Sequence, residues 1–170
     1  MSLFSRILLC YDATREGRRA LRYGAELAQQ LHADTHLLAV LESAHWLHGF
    51  DALAADALSI EERAAKEILS EGVSKLKASG VTATGHFAVG SPIDQIARVA
   101  HALKVDLIVV GHRRCGLLAR WWAGPGHGLL LDRVSCSILV AIDPSDAEVP
   151  ELAQSEASSQ ADAAGRAQHQ

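Results

Sequence analysis

The sequence predicts an α/β fold, a doubly wound five-stranded parallel sheet with helices on both faces. Three observations predict it. Short apolar runs alternate along the chain with stretches whose apolar residues recur at helical spacing, the rhythm of βαβ units. The apolar runs are continuous, as strands covered on both faces require. Helix start and stop signals fall between the two kinds of segment.

Ile7-Leu-Leu-Cys-Tyr11 reads as the first strand. Ala20, Leu21, Gly24, Ala25, Ala28 and Leu31 then line one helical face, with Arg18, Arg22, Glu26 and Gln29 on the other. Leu37 to Leu41 is the second strand. Residues 43–58, which include Trp46, Gly49 and Phe50, hold no clean period and predict a loop with at most a short helical turn. Ser59-Ile-Glu-Glu62 reads as a capping box, the hydroxyl accepting from the third amide and Glu62 reaching back. It predicts the start of a helix carrying Ala65, Ile68, Leu69, Gly72 and Leu76, closed near Gly80. Thr82 to Val89 is the third strand. Ser91-Pro92 places a cap before a proline at the first helical position, and Ile93, Ile96, Ala97, Ala100 and Leu103 continue that helix. Leu107-Ile-Val-Val110 is the fourth strand. A glycine-rich turn at 124–128 leads into a short helix, and Ile138 to Ile142 is the last strand.

The domain is expected to span 1–143. From Pro144 the chain is Ala, Ser, Gln and acid, too poor in large apolar groups to offset the entropy of ordering, so 144–170 reads as a disordered tail. That tail holds Asp146, Glu148, Glu151, Glu156 and Asp162 against Arg166 alone, and so accounts for the whole formal charge of −4. The domain is charge-balanced, which argues against a nucleic-acid partner and a polybasic membrane patch. No apolar run approaches the roughly 20 residues that span a bilayer. The short apolar run at Ile7–Cys10 does not make a signal peptide. Cys10, Cys115 and Cys136 form no CxxC pair, and a reducing cytoplasm is the expected location.

In an open parallel sheet the ligand crevice lies beyond the carboxyl ends of the strands, where strand order reverses. This directs attention to Asp12, Val40 and Gly111 at strand ends and to the turn around Gly124. The string Gly111-x-x-Arg114-(nine)-Gly124-Pro125, running on to Val134-Ser-Cys-Ser-Ile-Leu-Val140, resembles the universal stress protein family. Nucleotide-binding members read Gly-x-x-Gly-(nine)-Gly-Ser/Thr there, followed by Ala-Pro-Cys-Pro-Val-Leu-Val. Ile7 to Asp12 also resembles the family's first strand and terminal aspartate, and the likeness covers about 4–142. It implies an adenine nucleotide alpha hydrolase-like fold and a non-enzymatic, homodimeric stress-response protein.

Two departures bear on cofactor use. Arg114 stands where the motif has its second glycine, and a guanidinium stem must fold away before backbone can approach a phosphate. Pro125 stands at the Ser/Thr, deleting an amide and a hydroxyl donor. Lost donors to a bound charge cost about 1.5–3 kcal/mol each. Val110-Gly-His112 is similar to the branch of the family without ATP binding. The expected cofactor is therefore none, with ATP or AMP the alternative. In that alternative the candidate nucleotide or anion crevice is Asp12, Val40, Gly111, Arg113 and Arg114, together with Gly124, Gly126 and His127. Guanidinium groups beside a glycine-rich helix start attract anions, or the segment is a solvated basic loop. Asp12 either contacts a ribose or base, as the matching residue does in nucleotide-binding relatives, or caps the first helix.

The other constellations point to packing. His45 and His48 are three apart with only Asp51 nearby, so incidental histidines outweigh a metal site. Cys10 reads as a small core residue rather than a redox sensor, and Trp121 and Trp122 as packing rather than base-stacking platforms. An ATP pyrophosphatase on such a fold would want a Ser-Gly-Gly-x-Asp-Ser loop after strand one, where this chain has Tyr11-Asp-Ala-Thr-Arg-Glu16. No Ser/His/Asp set assembles, and no catalytic residue is assigned. The resemblance and the apolar character of 138–142 together imply a homodimer through the last strand. Further protein partners are not identified by the sequence.

Overall fold

The computed structural model describes residues 3–42, 52–112 and 130–142, with residues 52–58 and 112 described by backbone alone. The elements run β1 (Arg6–Cys10), α1 (Arg15–Leu31), β2 (Asp34–Leu41), α2 (Ala52–Ala78), β3 (Ala83–Val89), α3 (Pro92–Leu103), β4 (Leu107–His112), α4 (Leu130–Arg133) and β5 (Ser137–Ile142). They build one five-stranded sheet in the order β3-β2-β1-β4-β5. Every pairing is parallel. The chain thus winds outward from β1 to one edge, returns, and winds to the other edge.

Strand periodicity divides the core in two. Ile7, Leu9, Tyr11, Leu37 and Val109 face α1 and α2, meeting Ala20, Leu21, Ala25 and Leu76. Leu8, Leu38, Ile108 and Val110 face the opposite way, meeting Ile93, Ile96, Ala100 and Leu130 from α3 and α4. Ile7, Leu8, Leu9, Ile108 and Val109 are at most 1% exposed, which is why β1 and β4 read as unbroken apolar runs.

Two expectations are corrected. α2 begins at Ala52, so the Ser59–Glu62 pattern lies inside a helix and does not open it, and 52–58 is helical where a loop was expected. The segment Ala52-Leu-Ala-Ala-Asp-Ala-Leu58 is rich in strong helix formers, and a capping pattern marks a start only where the preceding residues cannot continue the helix. β2 begins at Asp34, three residues ahead of the expected Leu37, because Thr35 and His36 are buried against neighbouring elements. Ser91 and Pro92 hold the expected cap and first-turn positions of α3, although the Ser91 hydroxyl makes no capping bond. Gly80 follows α2 at φ +78°, as a glycine stop predicts. The tail expected at 144–170 and the glycine-rich turn at 124–128 lie outside the described residues.

At the lower end of the sheet one carboxylate joins the two halves. Asp106, just before β4, accepts from the Ser5 amide at 2.8 Å, the Ser5 hydroxyl at 2.8 Å and the Arg6 amide at 3.0 Å. Burial pushes its carboxyl up, but these bonds outweigh burial and hold it below the usual carboxylate value.

Candidate functional site

With β1 central and the chain winding away on both sides, β1 and β4 form the point where strand order reverses. A cavity of about 130 Å³ opens there, at the carboxyl ends of the strands. Its floor is apolar, with Leu38, Val40, Ile96 and Val110, and its charged lining among the described residues is Asp12 and Glu42.

The turn after β1 shapes the rim. Asp12 Oδ1 accepts from the Thr14 amide at 3.1 Å and from the Thr14 hydroxyl at 2.6 Å. Thr14 in turn is the N-cap of α1 and accepts from the Gly17 amide at 3.0 Å. Asp12 therefore buttresses the helix cap without being the cap. Ala13 between them sits at φ +59°, in the left-handed region that side chains seldom occupy. The side chain of Asp12 fills the space in which a Cβ at residue 17 would lie, so this turn needs glycine there.

Gly111 answers to the same turn. A Cβ on it would lie 2.6 Å from the carbonyl carbon and oxygen of Glu16 and 2.9 Å from the amide nitrogen of Gly17. The first turn of α1 is packed on bare β4 backbone, which accounts for this glycine through packing before any ligand is considered.

Cys10 lines the cavity. Burial, and secondarily the neighbouring Asp12 carboxylate, push its thiol up to about 12. A redox sensor needs an accessible thiolate, and a thiol held this high stays protonated near neutral pH. Burial also raises the Cys136 thiol.

Of the sequence-expected crevice residues, Asp12, Val40 and Gly111 come together at one cavity. Arg113, Arg114, Gly124, Gly126 and His127 lie outside the described residues, as do Pro125, His45 and His48. Sequence reading missed Gly17, Leu38, Glu42, Pro92 and Ile96 as lining residues. Glu42 directly follows β2, and Pro92 opens the helix after β3, so their places at strand and helix ends carried a usable signal. Leu38 and Ile96 carried none beyond core periodicity. Among the described residues no group of three His, Cys, Asp or Glu is placed to hold a metal ion. No helix among them is long and apolar enough to cross a membrane.

Residues 3–141 match the model of the universal stress protein family. No curated protein sequence matches the chain. A solved structure of a universal stress protein family member from Burkholderia pseudomallei is 20% identical at TM-score 0.63, covering 82% of this chain and 97% of its own. A universal stress protein from Archaeoglobus fulgidus in complex with dAMP is 23% identical at TM-score 0.59, covering 81% and 98%. A family protein from Arabidopsis thaliana with AMP bound is 17% identical at TM-score 0.60, covering 84% and 94%.

Proposed function

This chain belongs to the universal stress protein family, and from that premise we propose that it is a non-enzymatic, homodimeric stress-response regulator that works through protein contacts without tight nucleotide binding. One observation carries the cofactor part of this reading: the charged lining of the described crevice is acidic, Asp12 and Glu42. Carboxylates repel phosphate, and Asp12 already spends one oxygen on Thr14. Arg114 and Pro125 in the sequence point the same way. The non-enzymatic part is supported by the Asp12 geometry, in which Oδ1 is a turn acceptor for Thr14.

A second reading is favoured by the dAMP and AMP carried by two structural neighbours. An adenine ring suits the apolar floor of Leu38, Val40 and Ile96, and Asp12 Oδ2, which takes no bond from Thr14, suits a ribose hydroxyl. In this reading Arg113 and Arg114 replace the missing phosphate donors with charge-assisted bonds.

Calorimetry with AMP and with magnesium ATP separates the two. Wild type is expected to bind no tighter than roughly 100 µM, about −5.5 kcal/mol. Arg114→Gly with Pro125→Ser is expected to tighten binding at least about tenfold, about 1.4 kcal/mol. Low-micromolar wild-type binding, weakened by Arg114→Gly alone and by salt, would establish the second reading instead.

A further inference from the structure

His36 on β2 and His86 on β3 meet across the outermost strand pair of the sheet. The register sets His36 opposite Thr84 and Leu38 opposite His86, so the two imidazoles approach on the diagonal. His36 Nδ1 lies 3.1 Å from His86 Nε2, with ring centroids 5.2 Å apart. The second nitrogen of His36, Nε2, lies 3.4 Å from Asp34 Oδ2. His36 is 8% exposed, on the face shared with Leu38 and α3.

Among the described residues, the charged groups on the neighbouring elements have places of their own. From β1, Arg6 bonds Asp34 at 3.3 Å and the Leu103 carbonyl at 2.6 Å. Asp106, ahead of β4, is bonded to Ser5 and Arg6. On α3, Arg98 is exposed and donates to Gln95, Asp94 pairs with Arg133, and His101 lines a groove against the start of β5. From α2, on the opposite face of β3, Lys66 lies over the Phe87 ring.

We propose that the Asp34–His36–His86 chain is a proton-sensitive latch that fastens edge strand β3 to the sheet. Uncharged, one ring donates to the other across the 3.1 Å contact, while His36 Nε2 lies 3.4 Å from Asp34 Oδ2. With one added proton the charged ring donates and the other still accepts, so the contact between the rings holds. Two added protons aim N–H groups at each other across 3.1 Å, and no rotation of either ring restores the bond between them. β3 pairs with β2 alone, so it is the strand that can leave.

The sign follows from His86. Burial first, and His36 second, hold its imidazole below the ordinary value of 6.5. The fold favours uncharged His86, so its contribution is complete above about pH 6.5 and is lost as pH falls through that value toward the lower folded one. Opening reaches the crevice through chain connectivity, because Gly90 and Ser91 lead from β3 directly into α3, whose Pro92 and Ile96 line it.

The test is hydrogen exchange of the β3 amides in the full chain at about pH 7.5 and pH 5.0, corrected for intrinsic rates. Wild-type protection of β3 is expected to fall at least about fivefold at the lower pH, with β1 and β4 unchanged. His86→Gln keeps a donor for His36 and cannot titrate, so its β3 protection is expected to be the same at both. Unchanged wild-type protection, or an equal loss in His86→Gln, would overturn the latch. Should the variant not fold, ring-proton titration of wild type decides. His86 titrating below 6.5 together with β3 amide shifts supports it, and two rings titrating independently at the ordinary value reject it.

Discussion

Gly111 brings helix and strand closer together than any side chain would permit. With a Cβ 2.6 Å from the Glu16 carbonyl, Gly111→Ala must push back the first turn of α1 and the Asp12–Thr14–Gly17 network with it. Overpacking against backbone of this kind costs about 1–3 kcal/mol, expected as a lowered urea midpoint with an unchanged slope. Ala13 carries the opposite sign. At φ +59° an alanine is strained, and Ala13→Gly is expected to raise stability by up to about 1 kcal/mol in the same urea titration. Asp12, Val40 and Gly111 were readable from sequence because parallel strands announce their own ends. The role of Gly111 was not, since its partner is backbone sixteen and seventeen residues into the chain. Leu38 and Ile96 were likewise hidden, because a lining residue and a core residue share one periodicity.

Between elements, the best-defined junction is Asp106, which bonds β1 to the approach of β4 while its carbonyl accepts from Ser137 at the start of β5 at 3.1 Å. Asp106→Ala is expected to lower stability by about 1 kcal/mol, the scale of partly exposed hydrogen bonds. Its folded carboxyl sits lower than in the unfolded chain, so the contribution is full above about pH 4 and lost as pH falls through the folded value. Asp106→Asn is expected to flatten that part of the acid limb, read as urea midpoints between about pH 2 and 5. Elements were legible in proportion to their hydrophobic contrast. β1, β4 and α3 declared themselves, whereas α2 runs seven residues ahead of its expected start because a run of helix formers is silent about where it begins.

For the molecule as a whole, β3 and β5 are the two sheet edges, and they differ. β5 is the apolar edge, with Ile142 57% exposed and Ile138, Leu139 and Val140 half-buried. Such an edge invites a second copy about a two-fold axis. Wild type is expected to sediment as a dimer at tens of micromolar, and Ile142→Asp to shift it toward monomer. A monomeric wild type would remove this part of the proposed function. The strand order has a further consequence, for synthesis. The first partner of β1 lies 28 residues downstream, and its second lies 100 residues downstream. Closing the longer loop costs only about 1 kcal/mol more, yet roughly 70 further residues must leave the ribosome first, several seconds at about 5–20 residues per second. During that interval the middle strand of the finished sheet is a bare edge on the nascent chain. The first strand translated thus waits for the fourth before it is enclosed, and its unpaired side is where a chaperone would have to stand guard.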